Sequence, residues 1–335
     1  MFWLLLAGLV ALVAGAELMV KFGSSLAERL GISPLIIGLT IVSIGTSVPE
    51  LAVGIDAMRR DAGSLMLGNI VGTDIVNILL ILGLAAAIRP VALSRTTVRL
   101  DLPAMVASSV LLFIMAFSGY LTTANGFILL TAAVVYGCLI GWNARREKLE
   151  RERRFREDSD STETGDIPIV RGPVNWPLFF RDLVLLIVGI VIIVFGAEWL
   201  VDGAISIAES FGVSESIIGL TIVAIGTSLP ELATTLSATF RGKRDIAVGN
   251  LIGSSTLNTT LIFGIALLFG PYRTQIGTEI LRFDFPILLA VFGLCIFIFV
   301  TGQRISRREG ILMVSLYALY LGYRIFSVVT GHSFV

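Results

Sequence analysis

The sequence predicts an all-α integral membrane protein: ten transmembrane helices in two inverted five-helix repeats. Three observations predict it. The 335 residues are 55% hydrophobic and 15% charged, with a mean hydropathy of +0.90, a balance foreign to water-soluble domains. Apolar runs of membrane-spanning length recur along the whole chain. One half of the sequence also repeats the other at a constant offset of 181 residues.

In chain order, spans are expected at 2–20, 32–57, 66–88, 101–119, 124–143, 178–201, 214–239, 246–269, 284–301 and 309–328. Segments 20–31 and 201–213 read as short interfacial turns. Ala14-Gly15-Ala16 resembles a signal-peptide processing site. Against that, no positive residue precedes the apolar run, and Gly15-Ala16-Glu17 recurs as Gly196-Ala197-Glu198, so the first span reads as structural. Between spans five and six runs a hydrophilic stretch beginning at Arg145-Arg146-Glu147-Lys148. The expected organisation is a first five-helix repeat at 1–143, a charged cytoplasmic loop at 144–176 and a second repeat at 177–335.

Net charge is zero, but its distribution is uneven. With the 144–176 loop in the cytoplasm, 20 Lys and Arg fall inside and 5 outside. Positive-inside bias then puts both termini outside a cell membrane that the chain crosses many times. Acidic residues interleave the basic loop, which argues against nucleic acid as a partner. The expected partners are the lipid bilayer and inorganic cations, with the chain acting as a monomer. Cys138 and Cys295 sit singly in apolar spans, so neither a disulfide framework nor a Cys-x-x-Cys metal site is expected.

The repeat itself carries the chemistry. Gly38-Leu39-Thr40-Ile41-Val42-Ser43-Ile44-Gly45-Thr46-Ser47-Val48-Pro49-Glu50 returns as Gly219-Leu220-Thr221-Ile222-Val223-Ala224-Ile225-Gly226-Thr227-Ser228-Leu229-Pro230-Glu231. The match runs without a gap from Gly15/Gly196 to Pro90/Pro271, with roughly 35 of about 76 pairs identical. Five spans separate equivalent points. An odd number makes the second copy enter the membrane from the opposite side, the architecture of alternating-access transporters.

Within the second span, Ser43, Thr46, Ser47 and Glu50 share one helix face. Pro49 has no N–H, so the Gly45 carbonyl loses its helical partner and the turn around Thr46 is distorted. Broken backbone at membrane depth survives only inside protein or along a cavity. Freed carbonyls, hydroxyls and a carboxylate make a hard, all-oxygen site that suits Ca²⁺ or Na⁺. The second copy offers Ala224, Thr227, Ser228, Pro230 and Glu231 in the same pattern, and at Ala224 any contact must come from backbone. The third span adds Asn69, Thr73 and Asn77 as a polar stripe, with Gly68 and Gly72 allowing close helix approach. The eighth repeats it as Asn250, Ser254, Ser255 and Asn258 behind Gly249 and Gly253. Small and polar residues also serve simply to join helices, and Asn69 and Asn250 fit that role too.

The two glutamates fit it poorly. Two carboxylates about 6 Å apart at an effective dielectric of ~20 repel by roughly 3 kcal/mol. Desolvation adds several kcal/mol each, and no Lys or Arg lies in the core of these spans. A doubly ionised pair needs cations or protons, and a charge-compensated site rearranges more readily than a bare one. That is the physical basis of obligatory exchange.

Gly45-Thr46-Ser47-x-Pro49-Glu50 followed by Gly68-Asn69-x-x-Gly72-Thr73-x-x-x-Asn77, doubled as Gly226 to Glu231 and Gly249 to Asn258, resembles the signature repeats of the cation/calcium exchanger superfamily. The resemblance implies Ca²⁺ bound between Glu50 and Glu231, with backbone oxygens near Thr46 and Thr227. It maps sodium positions onto Ser47, Ser228, Thr73, Ser254 and the backbones of Ser43 and Ala224, with Asn77 and Asn258 flanking the centre. The first and sixth helices would slide as a gate across the other eight. The chain departs from the pattern at Asn258, where sodium/calcium members often carry aspartate, and at Asp74, where a neutral polar residue is usual. Asp74 reads either as a third site carboxylate or as a structural acid.

The expected function is secondary antiport of Ca²⁺ against Na⁺ at a midplane carboxylate site, with Ca²⁺/H⁺ antiport on the same scaffold as the alternative. A channel is the reading from another class. No enzyme chemistry and no organic cofactor are expected, since neither a P-loop nor a Rossmann fingerprint occurs. Ca²⁺ and Na⁺ are cargo. Glu17 and Glu198 are expected to pin helices at the interface. Asp56, Asp101 and Asp284, at span edges, are expected to snorkel, and His332 to face solvent.

Overall fold

The computed structural model describes residues 2–92, 94, 96–161, 175–210, 224–302 and 304–330. His332 lies outside them. The described chain is helical almost throughout. Helix α1 spans Phe2–Leu30, and α2 (Pro34–Thr46) and α3 (Val48–Arg59) form a pair bent by 45°. Then come α4 (Gly63–Ile88), α5 (Thr97–Ala116), α6 (Thr123–Ser161) and α7 (Trp176–Ser210). The second half continues with α8 (Ala224–Gly226), α9 (Leu229–Phe240), α10 (Arg244–Phe269), α11 (Ile280–Phe299) and α12 (Arg307–Thr330). Among the described residues, eight helices are long and apolar enough to cross a membrane, and the α2–α3 pair makes a ninth. Of the seventh expected span, α8 and α9 are described, and residues 214–223 lie outside the described set.

The apolar residues are distributed as a bilayer demands. Large side chains such as Trp3, Phe127, Val135 and Phe195 point outward, while α4 and α10 are mostly buried. These two helices form the centre, and the others take positions around them.

Two stretches expected as interfacial turns are helix instead. Helix α1 continues through 20–30 and α7 through 201–210, because Met19, Val20, Leu26 and Ala27 carry on the buried stripe. The stop comes at Gly31, with φ of +69°, where Ile32 N–H donates to the Ala27 carbonyl. This is a glycine-dependent C-terminal cap. The charged connector differs as well. Residues 144–161 prolong α6, since interleaved Arg, Glu and Lys are good helix formers with favourable i,i+4 pairs.

Helices α1 and α7 pack together in their own apolar cluster, which includes Leu12, Met19, Leu186 and Ile193. Glycine makes the approach possible. A Cβ on Gly8 would sit 2.7 Å from the Gly196 carbonyl oxygen, and one on Gly15 would sit 2.8 Å from that of Gly189. Rising numbers on α1 meet falling numbers on α7, so the two helices run antiparallel. A second set of close approaches joins α4 to α12 through Gly83 and Gly310, and α6 to α10 through Gly126 and Gly264. Two antiparallel ribbons also link the halves. β1 (Val91–Ala92) pairs with β4 (Arg304–Ile305), and β2 (Tyr120–Thr122) with β3 (Arg273–Gln275).

Candidate ion site

Both halves break their helix at the same serine. Ser47 has φ −86° and ψ 9°, and Ser228 has φ −87° and ψ 3°. In each case proline takes the second position of the next helix and glutamate the third. Proline fits the first turn of a helix, where an N–H has no partner anyway. The break therefore follows from Pro49 and Pro230, and it falls one residue later than the distorted Thr46 turn expected from sequence.

Glu50 and Glu231 are fully buried. They face each other, with Thr227 and Asp74 also facing Glu50, and Thr46, Ser47 and Ser254 facing Glu231. Among the described residues, none of the four carboxylate oxygens has a close hydrogen-bond partner. The same holds for the hydroxyls of Ser47, Thr73, Thr227 and Ser228 and for both polar side-chain atoms of Asn77 and Asn258. Buried groups left bare cost on the order of 1–3 kcal/mol apiece, more when charged. A concentration of them around two carboxylates fits the oxygen chemistry of a dehydrated hard cation.

Asn77 and Asn258 sit in π-helical turns, Val76–Leu82 and Asn258–Ile262. A π turn adds a residue to the helical repeat and shifts the side chains beyond it, a distortion common at functional sites.

Other site residues make protein contacts. Ser43 Oγ lies 2.6 Å from the Gly38 carbonyl and 3.0 Å from that of Asn250. Thr46 Oγ1 donates to Asn250 Oδ1 at 3.1 Å and lies 3.3 Å from Ser254 Oγ. For Ala224 the described backbone belongs to α8. Asn69 is only half-buried, whereas Asn250 is fully buried. Asp74 is fully buried; its Oδ2 accepts from Thr259 at 3.3 Å, and it faces Ser255. Ser255 is its own counterpart at the repeat offset, so α4 and α10 cross where equivalent residues meet. Among the described residues, no three Asp, Glu, His or Cys side chains converge as a metal cluster.

Several acids behave differently from the sequence expectation. Asp56 is exposed and pairs with Arg60, but Asp101 and Asp284 do not snorkel. Both are buried and accept hydrogen bonds from Tyr136 and Tyr320. The missed signal was a parallel spacing, Asp101–Tyr136 against Asp284–Tyr320, beyond the gapless stretch ending at Pro90. Glu17 does pin helices, with Arg241 Nη2 2.8 Å from its Oε1. Asp182, not singled out from sequence, is buried and held by Arg29, Arg181 and Ser25 at the joint of α1 and α7.

The sequence profile described as "Sodium/calcium exchanger protein" matches residues 1–142 and 182–326. The chain is 36% identical to the sodium/calcium exchanger MaX1 of Methanosarcina acetivorans, over 96% of this chain and 97% of that protein. It is 38% identical to the inner membrane protein YrbG of Escherichia coli, over 80% of this chain and 79% of that one. Its fold is similar to a solved structure of the sodium-calcium exchanger NCX_Mj soaked with 10 mM Na⁺ and zero Ca²⁺. The TM-score there is 0.79 at 28% identity, covering 96% of this chain and 97% of that chain. With a profile match across most of its length, and a relative of this identity aligned nearly end to end, this multi-pass membrane protein belongs to the sodium/calcium exchanger family.

Proposed function

We propose that the chain is a secondary antiporter that exchanges Ca²⁺ for Na⁺ by alternating access, with the cations held between Glu50 and Glu231. The observation that carries this reading is the pair itself: two fully buried, mutually facing carboxylates ringed by hydroxyls, with no close hydrogen bond to any of their four oxygens among the described residues. A buried carboxylate without a partner is unfavourable by several kcal/mol, and a cation removes that cost in either of two conformations. The names of MaX1 and NCX_Mj, both sodium/calcium exchangers, favour these two ions.

In this reading the halves at 1–143 and 177–335 are inverted repeats of five spans each, joined by 144–176. The reciprocal packing supports it. Gly8 and Gly189 are equivalent at the 181 offset, as are Gly15 and Gly196, and each meets the other's partner across antiparallel helices. The Gly83–Gly310 and Gly126–Gly264 contacts exchange halves in the same way. So do the ribbons, each taking one strand from each half. Helices α1 and α7, in a cluster apart from the main core, act as the gate. Ser47, Thr73, Ser228 and Ser254 supply sodium oxygens together with the backbones of Ser43 and Ala224. Thr46 and Thr227 supply backbone oxygens for Ca²⁺. Asn77 and Asn258 flank the centre, and Asp74 contributes its charge from the crossing of α4 and α10. Both glutamates come from one chain, so a monomer suffices. Both termini lie outside the cell membrane and the connector lies in the cytoplasm.

Ca²⁺/H⁺ exchange is the second reading, favoured by the amide at Asn258, since two carboxylates are neutralised equally by two protons, two Na⁺ or one Ca²⁺. Proteoliposomes decide between them. Calcium uptake driven by internal Na⁺ at uniform pH supports the first reading. Uptake driven only by a pH gradient in sodium-free buffer supports the second and overturns the first.

A further inference from the structure

Two ion-pair partners recur at the repeat offset. Glu17 on α1 is equivalent to Glu198 on α7, and Arg241 just past α9 is equivalent to Arg60 just past α3. Only one of the two possible pairs is made. Arg241 Nη2 lies 2.8 Å from Glu17 Oε1. Arg60 instead turns back to Asp56 on its own helix, at 3.0 Å, and the exposed Glu198 forms no ion pair among the described residues. The residue equivalent to Asp56 is Ser237, so Arg241 has no acid at that place to hold it back.

The apolar seam beside each pair differs in the same sense. Val20 of α1 packs with Ala238 of α9 and with Ile246 and Ala247 of α10, and Thr234 Oγ1 lies 3.8 Å from Met19 Sδ. Ile246 is 0% exposed, whereas its counterpart Leu65 on α4 is 61% exposed. Helix α1 packs along α9, but α7 scarcely touches α3 or α4. The α1–α7 pair is itself symmetric, since the Gly8–Gly196 and Gly15–Gly189 contacts exchange at the offset. The asymmetry therefore lies in where that pair sits on the other helices. A cavity of about 380 Å³ between α1 and α9, lined by Leu12, Val13, Leu232 and Leu236 with the Glu17–Arg241 pair, leaves this seam fastened at its end rather than along its length. Little packing is lost when it parts.

On the reading of α1 and α7 as the gate, we infer that Glu17–Arg241 and Glu198–Arg60 are alternative latches, one closed in each of two gate positions. The structure shows the first position. With the connector in the cytoplasm, Arg241 lies at the cytoplasmic end and Arg60 at the outer end, so the inner seam is fastened and the outer one is apart. In the second position α7 lies against α3 and α4, Val201 covers Leu65, and Arg60 leaves Asp56 for Glu198. Each latch is an exposed ion pair, which shifts populations by a few-fold and locks nothing permanently. Matched latches keep the two positions close in energy, so a bound cation can move the gate with a modest difference in affinity.

The test uses the full-length chain in proteoliposomes with Cys138→Ala and Cys295→Ala, which removes both native thiols. Reporter thiols are placed beside the latches and leave their charges intact: Val20→Cys with Ile246→Cys for the inner seam, Leu65→Cys with Val201→Cys for the outer. A short bis-methanethiosulfonate reagent is the probe, with no ion gradient applied. Both forms are expected to cross-link. Glu17→Gln should raise the outer yield by up to about 5-fold, the population change of one exposed ion pair. Asp56→Ser should also raise it by freeing Arg60, and Glu198→Gln should lower it. Exchanging the charges, Glu17→Arg with Arg241→Glu, should restore the parent yield. An outer seam that never cross-links, or a yield that ignores all these substitutions, overturns the inference. Sodium-driven Ca²⁺ uptake without an outer cross-link would retire the latch alone. A latch that responds as expected in a chain that moves no Ca²⁺ would uphold it and retire the antiport reading alone.

Discussion

The two halves carry nearly the same thirteen-residue motif, yet they are fastened differently. In the first half, α2 is locked onto α10. Ser43 Oγ reaches the carbonyls of Gly38 and Asn250, and Thr46 reaches Asn250 and Ser254. A Cβ on Gly249 would lie 2.6 Å from the Leu35 carbonyl oxygen. In the second half, Thr227 Oγ1 and Thr73 Oγ1 have no hydrogen-bond partner among the described residues, and Ala224 has no hydroxyl to offer. The difference teaches that the repeat sets which oxygens are available, while local packing decides which of them are used to hold helices and which remain for an ion.

The largest expected effect tests whether the halves are equal at the centre. Glu50→Gln and Glu231→Gln should each reduce sodium-driven Ca²⁺ uptake in proteoliposomes by on the order of 100-fold or more, as removal of one member of a buried charge set does. Loss in only one variant would make the site one-sided. Next comes the helix crossing. Gly249→Ala should lower stability by about 1–3 kcal/mol through overpacking against the Leu35 carbonyl, read as the shift in thermal unfolding in detergent. An unchanged transition would show that the crossing is not closely packed.

Ser43→Ala should cost about 1 kcal/mol by losing a buried hydrogen bond, whereas Ala224→Ser should not reproduce that cost in the opposite sense. A smaller gain is expected at the turn after α3. Asp61 adopts φ of +56° where its counterpart Gly242 has +72°, and both turns are closed by the same backbone bonds. Asp61→Gly should stabilise by about 0.5–1 kcal/mol because glycine enters the left-handed region without a Cβ clash. The exposed Glu17–Arg241 pair should matter least: Glu17→Gln is expected to change stability by no more than ~1 kcal/mol.

The glutamates, their prolines and the polar stripes were legible because each is a local pattern. A proline two residues after a serine breaks a helix wherever it falls, and a carboxylate in an apolar run stands out without any coordinates. The long α1 and the extension of α6 were misread for the opposite reason. Lys21, Ser24, Ser25 and Glu28 look like the end of a span by composition, but α1 is carried onward by a buried stripe whose partner lies on distant helices. Asp101 and Asp284 were assigned to the interface because their tyrosines are 35 and 36 residues away.

The sequence by itself determined the membrane class, the duplication and the chemistry available to each half, since hydropathy, repeat offset and residue type are properties of the chain. Only the tertiary structure decided that Ser43 and Thr46 hydrogen-bond across to α10, that Asp284 lies beside the Arg324 guanidinium, and that α1 meets α7 head to tail. Those outcomes depend on which surfaces are brought within a few ångströms of each other. That is a property of packing between segments about 180 residues apart, which no local pattern encodes.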